Sequence, residues 1–157
     1  MKKDDSFQHD FFLAGVMQGS NHDRDLYPQD YRDRLKRIID RAFPGARIFD
    51  PLADHAESVD YTDQVGREVF LRHLETAKRS RILVCYLPVA SMGTAIEMWE
   101  CRSSGTLVLA ISPMSTNWIV RFFSHRSFAD LESFEKWLSP SNLASLAENL
   151  TERSLSG

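Results

Sequence analysis

Two cysteines in 157 residues are too few for a disulfide framework, and no His/Cys ligand spacing surrounds either. Cys85 sits inside an apolar run and Cys101 on the helix expected after it, so both read as reduced residues filling the interior. No apolar run approaches the roughly 20 residues needed to span a bilayer, which excludes a membrane helix. A Lys/Arg block is missing too. The basic residues alternate with Asp and Glu, as in "DYRDRLKRIIDR", the pattern of a solvated helix face, so a nucleic-acid polymer is not an expected partner. "MKKDDSFQHD" leads into no signal-type apolar region, and "FFLAGVM" is too short to be one; a cytoplasmic location is the expectation. Neither a repeat nor a low-complexity segment is visible.

What is present is ordinary for a globular chain: 43% hydrophobic, 26% charged and a formal net charge of -3. The length suits a single domain over 1–157, with a core over about 10–138 and a C-terminal helix and tail over 139–157.

The apolar periods alternate between strand and helix. "FFLAGV" (11–16) reads as a buried strand ended by "MQGSN". Tyr31, Leu35, Ile38, Ile39 and Phe43 then mark an amphipathic helix within 27–43, stopped by Pro44-Gly45. "ARIFDP" (46–51) is a second strand. The polar stretch "LADHAESVDYTDQ" reads as a long irregular connection, a place where function often sits. Val65, Val69, Phe70, Leu74 and Ala77 mark the next helix. "RILVCYLP", "GTAIEMWECRSSG" and "TLVLAISP" follow as strand, helix and strand. "TNWIVRFFSH" predicts a short helix, "SFAD" a fifth short strand, and "LESFEKWLS" and the last nineteen residues two more helices.

Near-continuous apolar strands alternating with helices predict an α/β three-layer, Rossmann-like (flavodoxin-like) domain with a parallel sheet of about five strands. Ligands bind such sheets beyond the carboxyl ends of the strands. The Gly/Ser/Thr/Asn-rich turns "MQGSN", "PVASMGT" and "SPMSTN" all lie on that edge.

"VASMGTAIEMWE" (89–100) puts Glu97 on a helix immediately after a core strand, and two readings compete. Thr94 and Glu97 fit a capping box, or Ser91 is itself the N-cap. Alternatively, the free N–H groups and positive end of the helix stabilise an anionic ligand, Gly93 lets it approach, and Ser91 donates a hydroxyl. Glu97 is then a carboxylate able to attack an electrophilic carbon. Ile96, Met98 and Trp99 bury the helix or wall the pocket.

"FFLAGVMQGS", "RILVCYLPVASMGTAIEMWE" and "GTLVLAISP" together resemble the nucleoside 2-deoxyribosyltransferase family, which includes nucleoside 5'-monophosphate N-glycosidases. The resemblance covers roughly residues 10–125 and is concentrated in the Ser-x-Gly-Thr-x-x-Glu block. The Pro-Gly-Gly of cytokinin-activating phosphoribohydrolases, which share Gly-Thr-x-x-Glu, is absent. The resemblance implies that Glu97 attacks the anomeric carbon of a (deoxy)ribose, the base leaves, and water or a second base resolves the glycosyl ester. It implies a small-molecule nucleoside or nucleotide partner, no cofactor and no metal, and a homodimer or larger assembly in which Asn117 completes a neighbour's site. Phe12 matches a tyrosine of deoxyribose-specific members; it leaves room for a ribose 2'-OH or is plain core. Ser91 matches a phosphate-contacting serine of the hydrolases. Gly15, Met17, Gln18 and Gly19 match the loop facing base and sugar, and Thr94 belongs to the central motif.

Where the family has an aspartate serving the leaving base, this chain has His73. It is either a general acid of changed identity or a half-buried helix residue beside Phe70 and Ala77. The departure keeps open a nucleotide-binding sensor or effector of the same fold without turnover. Asp50, Asp54 and His55 are a weak metal set without fixed spacing. Trp99 and Trp118 are read as core, or as platforms for a base.

Overall fold

The computed structural model describes residues 6–17, 26–54 and 60–155. Gln18, Gly19 and His55, named above, lie outside these residues, as does the side chain of Asp54.

Five parallel strands run in the order β2-β1-β3-β4-β5: β1 (His9–Gly15), β2 (Ile48–Phe49), β3 (Ser80–Tyr86), β4 (Leu107–Ile111) and β5 (Arg126–Phe128). This is the expected doubly wound sheet, and its order reverses between β1 and β3, where such folds open a crevice. Among the described residues seven helices accompany the strands: α1 (Tyr31–Ala42), α2 (Pro51–Asp54), α3 (Asp63–Lys78), α4 (Met92–Ser103) and α5 (Trp118–Phe123) between them, and α6 (Leu131–Trp137) and α7 (Pro140–Leu155) after the last.

Both sheet faces are covered, because the central strands are apolar on both. One cluster joins Phe11, Leu13, Val84 and Leu109 to Leu35, Ile38 and Ile39 of α1 and Phe134 of α6. The other joins Phe12, Ala14, Leu83, Cys85 and Ala110 to Ala77 of α3, Met98 and Cys101 of α4 and Val120 of α5. Both cysteines are buried thiols, as expected. Gly45 and Gly105 hold φ of 76° and 86° just past α1 and α4, a backbone state that glycine adopts without strain and that ends a helix.

Several expectations are corrected. The second strand is two residues long rather than six, because Pro51 has no N–H to extend the ladder and begins α2 instead. That short helix replaces the start of the expected irregular stretch. α1 starts at Tyr31, and its Arg32 is 2% exposed, so that stretch is not simply a solvated face. On α3 only Val69 and Ala77 of the five marked apolar residues are buried; Val65 and Phe70 are exposed. Trp99 and Trp118 are 54% and 72% exposed and are not core.

Candidate active site at the carboxyl edge of the sheet

Glu97 stands on the second turn of α4, beside the β1/β3 crevice. Its helix is capped by Ser91, whose hydroxyl accepts from the Thr94 N–H at 3.4 Å and from the Thr94 hydroxyl at 3.1 Å. With Ser91 at the N-cap, the capping-box partner position is Thr94, so Glu97 sits three residues beyond it and no Thr94–Glu97 box forms. Among the described residues, the Glu97 carboxylate accepts no hydrogen bond from its own main chain. The Ser91 oxygen already accepts twice, which leaves its own proton to donate outward. The N–H groups of Met92 and Gly93 have no acceptor among the described residues, as expected at a helix start.

Burial pushes the Glu97 carboxyl up to about 7, and the positive charge of Arg32 opposes that rise. Its charge is felt around it. Burial raises Cys85 well above its ordinary value and Cys101 to about 12, and the Glu97 carboxylate adds to both. Burial also takes the Tyr31 phenol to about 12, with Arg32 pulling it down and Asp50 and Glu97 pushing it up. A carboxyl that titrates near neutrality can serve as a nucleophile or as a proton carrier.

The other motif residues fall in different settings. Thr94 is 2% exposed and serves the cap. Gly93 is open: a Cβ there would meet only the edge of Phe70, at 3.7 Å. Gly15, the last residue of β1, is not open: a Cβ would overlap the Tyr31 phenol and press on the Tyr86 carbonyl at 3.0 Å. Its glycine is therefore accounted for by packing. The Met17 carbonyl accepts from the Tyr27 N–H, which closes the loop after β1 at its base. Phe12 is wholly buried, its ring stacked on Phe49 at 5.2 Å. Asn117 caps α5, its Oδ1 accepting from the N–H groups of Ile119 at 2.9 Å and Val120 at 3.3 Å.

His73 sets its ring edge against Phe49 at 5.7 Å. It lines a cleft of about 370 Å³ with Gln8, Phe49, Arg72, Glu75, Thr76 and Arg79, a lining that does not include Glu97. Ser91, Gly93, Thr94 and Glu97 thus stand at the cap and on the first two turns of α4, while His73 lines the cleft beside Phe49.

Sequence reasoning missed Arg32. Its Nη1 donates to Asp50 Oδ1 at 2.9 Å and to the Leu13 carbonyl at 3.1 Å, and its Nε donates to Gln29 Oε1 at 2.8 Å. Asp50 also pairs with Lys36 at 2.6 Å, so its carboxylate is occupied by cations of the protein. The signal was available: Arg32 lies three and seven residues before Leu35 and Ile39, on the apolar stripe of α1. The described residues hold no group of three or more metal-ligating side chains.

No protein-family model and no curated protein matches the chain. Solved structures do match in fold. A 2-deoxyribosyltransferase from Bacillus psychrosaccharolyticus superposes with a TM-score of 0.61 at 17% identity, over 87% of this chain and 94% of that one. A conserved protein from Enterococcus faecalis V583 gives 0.57 at 17% identity, over 80% and 94%. The chain has the fold of a 2-deoxyribosyltransferase, as the sequence resemblance implied, in an α/β Rossmann-like form. No helix among the described residues is long and apolar enough to cross a membrane.

Proposed function

We propose that the chain is an enzyme that cleaves the N-glycosidic bond of a nucleoside or nucleoside 5'-monophosphate. Glu97 attacks the anomeric carbon, the glycosidic C–N bond breaks, and the base departs with that electron pair and takes up a proton from water. The glycosyl ester on Glu97 is then released to water or to a second base. The observation that carries this reading is Glu97 itself: it lies beside the sheet's switch point, is excused from capping, and has its carboxyl raised to about 7. The fold shared with a 2-deoxyribosyltransferase supports the same chemistry. Ser91, through its unspent proton, and the Met92 and Gly93 amides are proposed to hold the 5' end. A neutral donor there favours a phosphate over a free hydroxyl. Gly15, Met17, Gln18 and Gly19 are proposed to face base and sugar.

The exposed apolar side chains of α4 and α5 support a homodimer. Met92, Ile96, Trp99, Trp118, Ile119 and Phe122 are 37% to 84% exposed, and Trp99 meets Phe123 at 5.0 Å between ring centroids, so the two helices share one apolar surface. Asn117 lies at the head of α5, where a neighbouring subunit would meet it.

A second reading, a nucleotide-binding sensor without turnover, is favoured by His73, which stands where the family has an aspartate serving the leaving base. Chromatography of nucleosides and 5'-monophosphates incubated with the protein decides between them. Free base with the wild type and none with Glu97→Ala supports the enzyme; ligand binding without base release supports the sensor. Adding a second base separates transfer from hydrolysis.

A further inference from the structure

β3 and β4 each run into a proline, Pro88 two residues past the end of β3 and Pro113 two residues past the end of β4. The Leu87 N–H donates to the Ile111 carbonyl at 2.8 Å, and beyond that rung neither proline has an N–H to continue the ladder. β4 is still held to β5, because the Ser112 N–H donates to the Phe128 carbonyl at 2.8 Å. A cleft of about 380 Å³ opens where β3 and β4 stop, with the two prolines, Tyr86 and Arg34 among its walls and the buried Ile111 and Leu131 in its lining. It lies on the carboxyl edge of the sheet, where ligands bind in such folds, and its size falls in the range of small-molecule pockets. Its lining includes no residue of α4. Tyr86 and Ile111 pack on the α1 and α6 side of the sheet, whereas α4 packs on the other face.

The polar groups of this cleft differ in how far they are committed. Asp130 Oδ1 caps α6 by accepting the Ser133 N–H at 2.7 Å, and Glu132 pairs with Lys136 at 2.7 Å. Among the described residues Arg34 makes no ion pair and the Tyr86 phenol no hydrogen bond. Burial pushes that phenol up, Tyr27 and Asp30 add to the rise and Arg34 opposes it, so it is a protonated donor near pH 7. The Tyr86 ring is held by stacking on Tyr31 at 4.3 Å between centroids. We propose that this cleft is a second ligand site, which takes a planar ring bearing one carboxylate. The ring lies among Tyr86, the two prolines and Ile111, and the carboxylate meets the Arg34 guanidinium and the Tyr86 hydroxyl. A guanidinium fork matches a carboxylate in both charge and shape. A phosphate dianion fits less well, because its second charge meets no cation in the cleft and faces Asp130 and Glu132. The site stands whether or not Glu97 is the nucleophile.

The test is methyl NMR of the full chain, with naphthoate, its neutral amide and naphthyl phosphate as probes. Naphthoate should shift the Ile111 and Leu131 methyls saturably and leave the methyls of Ile96, the residue before Glu97, in place. The amide and the phosphate should bind more weakly. Arg34→Gln should weaken naphthoate at least about threefold and leave the amide unchanged, since one charge-assisted contact is lost. Ala129→Trp puts a ring into the cleft and should abolish the shifts. Arg34 and Ala129 are both exposed, so neither variant removes core packing; if Ala129→Trp does not fold, Arg34→Gln decides. Shifts absent with naphthoate, or retained in Ala129→Trp, would overturn the site, as would shifts confined to Ile96. Naphthyl phosphate binding more tightly than naphthoate, or equal losses of naphthoate and amide in Arg34→Gln, would overturn the carboxylate assignment. Glu97→Gln should abolish base release and leave the naphthoate shifts unchanged, so the cleft and the nucleophile reading fail separately.

Discussion

The Ser91 hydroxyl caps α4 by accepting the Thr94 N–H at 3.4 Å, which leaves Glu97, six residues on, outside the cap of its own helix. Removing the Glu97 carboxyl should therefore not unwind α4. Far-ultraviolet circular dichroism of Glu97→Ala should match the wild type, while base release falls by at least about a thousandfold. Ser91→Ala is the contrasting case: loss of the true cap should cost about 1 kcal/mol and lower the melting temperature by a few degrees.

The raised Glu97 carboxyl gives two pH dependences of opposite sign. Attack needs the anion, so the rate should rise with pH through about 7, with only about a tenth of the limiting rate one unit below. Folding stability runs the other way. The folded value, about 7, lies above the ordinary 4.5, so the contribution is fully present below 4.5 and lost as pH rises through about 7. The gap in denaturant melts between Glu97→Gln and the wild type should open as pH rises from about 4.5 through 7, and the variant should exceed the wild type by about 3 kcal/mol at pH 8.

Gly15 and Gly93 should respond oppositely to alanine. At Gly15 the new methyl meets the Tyr31 phenol and the Tyr86 carbonyl, and overpacking of this kind costs about 1–3 kcal/mol. At Gly93 the methyl has room, and alanine in a helix gains up to about 1 kcal/mol over glycine. Gly93→Ala should melt no lower than the wild type and still bind a nucleoside 5'-monophosphate several-fold more weakly in calorimetry, because the methyl would stand where the 5' end is proposed to approach.

The α4–α5 surface should join two copies of the chain. A stable homodimer buries about 800 Å² per partner, and the exposed Trp118, Phe122, Trp99 and Met92 are side chains of the kind that fill such an interface. Sedimentation velocity should find a dimer for the wild type and a monomer for Trp118→Asp, with the circular dichroism unchanged. A wild-type monomer at micromolar concentration would refute the assignment.

The sheet was legible in the sequence because its strands are apolar on both faces, which leaves β1, β3 and β4 as continuous runs that no surface element imitates. β2 was overread: its sequence pattern extends to Pro51, and only the ladder reveals that a proline cannot donate there. The Glu97 motif was legible, but its two readings were not separable until Ser91 was found to cap the helix. Arg32 was hidden by composition. Among alternating charges a single buried arginine looks like its neighbours, and its partner Asp50 lies eighteen residues away on another element. Trp99 and Trp118 were misread for a related reason: helical spacing shows that a residue shares a face, not whether that face meets the sheet or another molecule.

The account depends most directly on a covalent bond to one carboxylate. Acid-quenched protein, taken during turnover of a nucleoside or its 5'-monophosphate, should carry one added glycosyl unit by mass spectrometry, mapped to the peptide containing Glu97 and absent in Glu97→Ala. Undiminished base release by Glu97→Ala, or an adduct on any other residue, would contradict it.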